Sequence, residues 1–128
     1  MEKTTVAILG ASANRAKYGN KSVRAHLQQG YEVYPVNPHA DVVEGLKAYR
    51  RLADVPVENL DRISVYLPPQ VGIALLEEIQ EKGAREIWLN PGSESPQLLR
   101  YAEQLQIEII TACSIVNVGQ IPADIPDE

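Results

Sequence analysis

The chain has 128 residues, 45% of them apolar, with one cysteine, two histidines and a formal net charge of −5. That suffices for one domain with its own core and excludes general disorder. The lone Cys113 excludes an internal disulfide or a cysteine zinc cluster, and the acidic balance argues against a nucleic-acid partner.

Thr5-Val6-Ala7-Ile8-Leu9 reads as a first strand, continuously apolar as a strand covered on both faces should be. It follows Met1–Thr4 with no signal-peptide pattern, and no apolar run reaches the roughly 18 residues of a membrane span, so a cytoplasmic protein with no membrane partner is expected. The strand runs into Gly10-Ala11-Ser12. Residues 1–31 carry five Lys or Arg against Glu2 alone, whereas residues 32–128 carry seven bases and sixteen acids. A glycine turn after a buried strand, followed by local positive charge, is where an α/β protein holds phosphate.

Gly19–Gln29 is the predicted first helix, with Val23 and Leu27 inward and Gly30 as its stop. Tyr31–Val36 is a second strand, ended by Asn37-Pro38 because proline supplies no ladder donor. Val42-Val43 with Gly45-Leu46 suggests a short edge strand, and Leu52, Val55 and Leu60 pin the following loop to the core. Arg62–Leu67 is a strand closed by Pro68-Pro69. Gln70–Glu81 is an amphipathic helix with Val71, Ala74, Leu75 and Ile79 inward and Gly83 past its end. Arg85–Leu89 is a strand stopped by Asn90-Pro91-Gly92. A helix opens at Ser95 or Pro96 and runs through Gln104, with Leu98, Leu99, Ala102 and Leu105 inward. Ile107–Thr111 is the last strand. One domain over residues 1–116 is expected, and 117–128 reads as a docked or frayed tail.

Strands alternating with helices imply an α/β fold: a doubly wound, Rossmann-like, mostly parallel sheet of about five strands with helices on both faces. Ligands then sit at the carboxyl ends of the strands. Gly10 permits a tight turn there, Ser12 offers a hydroxyl, and the first helix adds its dipole. The dinucleotide fingerprint is incomplete, because Ser12 and Arg15 occupy its second and third glycine positions. An NAD site usually ends the second strand with Asp or Glu; this chain has Val36-Asn37-Pro38-His39 instead. A ribose phosphate meets no repulsion there, and Arg15, Lys17 or Lys21 can answer its charge. NADP and coenzyme A both carry such a phosphate, and composition leaves both open.

Val6 to Ser12, Lys17-Tyr18-Gly19, Gly30 to Pro38, Gly45, Leu67-Pro68-Pro69, Trp88 with Pro91-Gly92, and Cys113 together resemble the small stand-alone CoA-binding proteins. Their fold is similar to the N-terminal CoA-binding domain of the succinyl-CoA synthetase α subunit. The Gly-Tyr-Glu-Val-Tyr-Pro-Val-Asn-Pro stretch is the most specific part. The resemblance implies that Gly10, Ala11, Ser12, Asn14, Arg15 and Lys17 hold the CoA diphosphate; Lys21 joins the expected ligand residues through its charge alone. It implies that Val36, Asn37 and Pro38 flank the adenosine, that Leu67 and Pro68 form another wall, and that Asn90 and Gly92 border the cleft.

Other conspicuous side chains read as structural. Cys113 is a small buried hydrophobe with no base nearby in sequence, and Trp88 is core. Glu77, Glu78 and Glu81 form a wet helix face, Arg50-Arg51 an exposed loop, and His26 lies solvated off the Val23–Leu27 stripe. No nucleophile–base pair, carboxylate dyad or metal cluster can be assembled. The expected function is therefore non-catalytic binding of coenzyme A or an acyl-CoA. An NADP-binding oxidoreductase subunit and a regulatory protein with a ligand-sensing site are the alternatives. A homodimer or an unknown protein partner is compatible with any of these readings. The resemblance implies no ligase activity for these 128 residues alone, because the succinyl-CoA synthetase α subunit does its chemistry with a phosphorylated histidine in a second domain.

Overall fold

The computed structural model describes residues 3–128; Met1 and Glu2, part of the N-terminal segment read above, lie outside them. Thr5–Leu9 forms β1, and Val6, Ala7 and Ile8 are fully buried. Tyr18–Gln28 forms α1, stopped by Gly30 at φ 86°, and Glu32–Val36 forms β2. Val42–Val43 (β3) and Leu46–Lys47 (β4) pair antiparallel, turned by Glu44 and Gly45 at φ 50° and 76°. This hairpin is separate from the main sheet, so the expected edge strand is corrected to a two-stranded appendage. Both turn residues adopt the left-handed conformation that tight hairpins require.

Leu60–Val65 forms β5, Pro69–Lys82 α2, Ala84–Leu89 β6, Pro96–Gln104 α3, Ile110–Thr111 β7 and Ser114–Asn117 α4. The main sheet has the order β2-β1-β5-β6-β7, with every pair parallel. This is the expected doubly wound, five-stranded α/β sheet. From β1 the chain steps one way to β2 and later the other way through β5, β6 and β7. The winding direction therefore reverses between β1 and β5, and the crevice of such a sheet opens there.

The alternation of each strand divides the core. Ala7, Leu9, Ile63 and Val65 pack with Leu76, Ile79, Leu98 and Ala102 under α2 and α3. Val6, Ile8, Val33 and Val23 pack under α1. Leu52, Val55 and Leu60 are buried as expected. The phase of α2 differs from the sequence reading: Gly72, Leu76 and Ile79 are buried, whereas Val71 and Ala74 are exposed. Gly72 is where α2 approaches α3, since a Cβ there would lie 3.2 Å from Leu98 Cδ1. Leu27 and Leu99 likewise lie at the margins of their helices, not inward.

His26, expected in solvent, is fully buried. Its Nδ1 donates to the Ser22 carbonyl at 2.8 Å, and its Nε2 faces Arg62 Nη1 at 3.4 Å. Arg62 lies over the Trp88 ring and donates to Glu86 Oε1 and to Asn117 Oδ1. This polar seam turns α1 so that Ala25 and His26, not Leu27, face inward. The last strand is shorter than expected: Gln106, at φ 60°, closes the end of α3, where the Ile107 amide donates to the Ala102 carbonyl, and only Ile110 and Thr111 join the ladder, opposite Trp88 and Leu89. The segment 117–128 is docked: Ile125 packs with Ala25 and Ile115, and Lys21 pairs with Asp127 at 2.6 Å. No helix among the described residues is long and apolar enough to cross a membrane.

Candidate functional site

The crevice is built on close backbone packing at the end of β1. Gly10 has φ 87°, its amide donates to the Val36 carbonyl at 3.2 Å, and a Cβ on it would lie 2.4 Å from the Tyr66 carbonyl oxygen. Glycine is therefore required to let β1, β2 and β5 converge, a role added to the phosphate approach expected of it. Gly19 presses the start of α1 onto the same turn, since its Cβ would lie 2.1 Å from the Gly10 oxygen. Lys17 caps α1 in an extended conformation with no side-chain bond, and the first turn holds no acid. The amides of Tyr18 and Gly19 find no acceptor among the described residues, so the positive end of the helix dipole is open to the crevice.

The side chains of the loop brace it. Ser12 Oγ accepts from the Asn14 amide and Asn14 Oδ1 from the Ala16 amide, each at 3.0 Å. The buried Asn20 donates to the Ser12 carbonyl at 2.8 Å and to Glu44 Oε2 at 3.1 Å. Arg24 donates to Asn20 Oδ1 and to the Arg15 carbonyl, both at 2.7 Å. Asn37 donates to the Ala11 carbonyl and accepts from the His39 amide, both at 2.7 Å, which ties the glycine loop to the end of β2.

The resulting cleft has a volume of about 610 Å³. Gly10, Ser12, Lys17, Tyr18, Gly19 and Asn37 line one wall; Tyr66, Leu67, Pro68, Pro69, Pro91, Gly92 and Ser93 line the other. No carboxylate is among them, and Lys17 is their one cation. A second pocket of about 280 Å³ adjoins it across Leu67 and is lined by Leu9, Val36, Pro38, Leu52, Val71 and Leu75, with Arg50, Arg51 and Glu78 at its rim. A third concavity, between α2 and residues 51–58, is lined by four carboxylates, Glu58, Glu77, Glu78 and Glu81, against two cations, Arg51 and Lys82, a balance less suited to a phosphorylated ligand than the carboxylate-free cleft.

The structure thus gathers Gly10, Ser12, Lys17, Asn37, Leu67, Pro68 and Gly92 around the cleft, and Val36 and Pro38 around the pocket beside it. It engages the other expected residues elsewhere. Ala11 is buried, and Asn14 bonds within the loop. Arg15 pairs with Glu44 at 3.4 Å. Lys21 is 5% exposed and turns to the tail, donating to the Pro122 carbonyl at 3.3 Å. Asn90 is buried with all four hydrogen-bonding positions filled: it donates to Ser64 Oγ and the Val65 carbonyl, and accepts from the Ser114 amide and hydroxyl. Tyr18, Gly19, Tyr66, Pro69, Pro91 and Ser93 line the cleft without having been singled out from the sequence as ligand residues. Their position after a strand end or at a helix start was the available signal. Burial raises the Tyr66 hydroxyl above its ordinary pKa, against its bond to Ser114 Oγ at 2.9 Å, so it stays a neutral phenol in the cleft wall.

A model of the CoA binding domain family matches residues 4–119. The chain belongs to that family. Over 83 residues, 63% of its length, this CoA-binding domain is 34% identical to an ADP-forming acetate–CoA ligase II of Archaeoglobus fulgidus, of which the match covers 12%. Among solved structures, a conserved hypothetical protein from Pyrococcus furiosus superposes with a TM-score of 0.80 at 37% identity, covering 91% of this chain and 99% of its own. The dinucleotide-forming acetyl-coenzyme A synthetase 1 of Candidatus Korarchaeum cryptofilum, in complex with phosphate and ADP, gives 0.72 at 26% identity over 85% of this chain and 25% of its own. The chain spans only a small fraction of that ligase and that synthetase.

Proposed function

We propose that this domain binds coenzyme A or an acyl-CoA in the crevice between β1 and β5 and performs no chemistry of its own. The observation that carries the reading is the open start of α1 over the glycine turn. The free Tyr18 and Gly19 amides and Lys17 converge on a cleft without a carboxylate, which suits a diphosphate. The apolar pocket against Val36, Pro38 and Leu67 suits the adenine ring. Family membership supports CoA over other adenosine ligands.

Calorimetry with CoA and NAD tests the proposal. CoA is expected to bind at micromolar concentration or tighter, and NAD not to bind. Lys17→Gln, at an exposed cap without a side-chain bond, is expected to weaken CoA about tenfold, the effect of one charge-assisted contact. Absence of CoA binding by the wild-type chain, or an unchanged affinity in the variant, overturns this assignment of the cleft.

A further inference from the structure

Asn37, at the end of β2, is not available to meet the adenosine ribose, because both arms of its side chain are occupied within the protein, as described above. Beyond it, His39 is exposed and Asp41 is paired with Arg50. Another element fills the place. Residues 48–50 run beside β2: Tyr49 bridges Val36 in parallel, its amide donates to the Pro35 carbonyl, and its carbonyl accepts from the Asn37 amide, both at 2.9 Å. That register delivers Arg50 to the rim of the apolar pocket. Its Nη1 donates to the Pro38 carbonyl at 2.9 Å, which folds the guanidinium over the loop following β2.

We infer that Arg50 is the receptor for a phosphate carried on the adenosine ribose, and so the residue that separates CoA from its dephospho form. The inference rests on the cleft proposed above and goes beyond it. In doubly wound folds the ribose lies at the end of the second strand, where an arginine in place of an acid accommodates a ribose phosphate. Arg50 is paired with Asp41, at 3.1 Å, and the two side chains are 63% and 86% exposed. An exposed pair of this kind contributes little and is readily exchanged for a phosphate, which offers the planar guanidinium a two-pronged, more strongly charged partner. Of the cations expected from the sequence to answer this charge, Lys21 is held by the tail, and Arg15 pairs with Glu44, a carboxylate only 21% exposed that Asn20 also binds, whereas the carboxylate on Arg50 is 86% exposed. The Pro38 carbonyl meanwhile fixes the guanidinium beside the pocket that takes the purine, so little ordering remains to be done on binding.

Calorimetry with CoA and dephospho-CoA on the wild type, Arg50→Gln, Arg50→Lys and Lys17→Gln tests the assignment. The wild type is expected to prefer CoA at least tenfold. Arg50→Gln is expected to weaken CoA at least tenfold and leave dephospho-CoA within twofold, Arg50→Lys to keep part of the preference, and Lys17→Gln to weaken both ligands alike. If the wild type binds the two ligands equally, or Arg50→Gln either weakens both equally or retains the preference, the role of Arg50 is refuted while the cleft stands. If the wild type binds neither, the cleft and Arg50 fall together. Thermal melts of the exposed Arg50 variants, expected to match the wild type, separate a lost contact from a lost fold.

Discussion

Replacing Asn90 by Asp changes one atom type at the most heavily bonded side chain of the site, and the structure sets the size of the response. The new carboxylate keeps the two bonds that Asn90 accepts from Ser114 and loses the two it donates, to Ser64 Oγ and the Val65 carbonyl, each at 2.8 Å. An ionised oxygen then faces a carbonyl oxygen at 1% exposure, so the buried group takes up a proton instead. Holding a carboxyl protonated at pH 7, about three units above its ordinary pKa, costs about 4 kcal/mol, and one lost hydrogen bond adds about 1 kcal/mol. The expected destabilisation at pH 7 is therefore about 5 kcal/mol, comparable with the roughly 5–15 kcal/mol that domains usually possess. The sign with pH is fixed: the introduced carboxyl has a folded pKa above its unfolded value, so the variant's stability is greatest below about pH 4 and is lost as pH rises through the folded pKa. Urea denaturation of both proteins from about pH 4 to about pH 7 measures this as the difference from wild type, which should grow from about 1 to about 5 kcal/mol. A difference that is small and flat with pH would mean that Asn90 is not the sealed hub described here.

His26 is held down to about 4 by burial, opposed by its bond to the Ser22 carbonyl and reinforced by Arg62. Its folded pKa lies below the unfolded value, so stability is whole above about pH 6.5 and falls as pH drops toward about 4, by up to about 3 kcal/mol. His26→Gln should flatten that acid slope in thermal melts, and an unchanged slope would assign it to other groups. Gly19→Ala puts a methyl 2.1 Å from a backbone oxygen and is expected to destabilise by about 3 kcal/mol. Gly30→Ala meets open space and only the strain of φ 86°, about 1 kcal/mol; equal losses in denaturant titrations would remove the close approach at Gly19 from the account. In the tail, Ile125→Ala should cost about 2 kcal/mol, whereas Asp127→Asn, at a 69% exposed carboxylate, should stay within about 1 kcal/mol. The reverse order in the same titrations would show that charge, not packing, docks the segment.

The sheet was legible because its signals are local. Val6 to Leu9, the Asn37-Pro38 stop, Gly30, Gly83 and Ser95 each mark a boundary through their own backbone chemistry, and the observed ends fall within one or two residues of most of them. Ser95 accepts from the Leu98 amide as a helix cap should. What was not legible depends on partners distant in sequence. Which face of α2 is buried follows from Gly72 meeting Leu98, and the burial of His26 follows from Arg62 and Asn117. Val71 and Leu27 satisfy helical spacing equally well, and only the packed neighbour decides between the phases. The strand before Thr111 differs for another reason: Ile107 and Ile109 are apolar enough for a strand, but the Ile107 amide is spent on the Ala102 carbonyl at the end of α3, and the ladder to β6 begins only at Ile110.

The site follows the same division, with a consequence for how it works. The sequence marks the polar residues of the glycine loop, and the structure uses nearly all of them to brace the loop itself. Ser12 and Asn14 close its turns, Asn37 ties it to β2, and Arg15 is answered by Glu44 from the hairpin 24 residues beyond Asn20. A flexible loop of cations would have to be ordered by its ligand, with a loss of affinity. This loop is ordered already, and its free polar groups are main-chain amides whose directions the brace determines. On the binding proposed above, side-chain identity at these positions would act mainly through the rigidity of the cradle. Discrimination between ligands would then fall to the few polar groups outside the brace: Lys17 at the mouth of α1, and the arginines that follow Tyr49 to the end of β2.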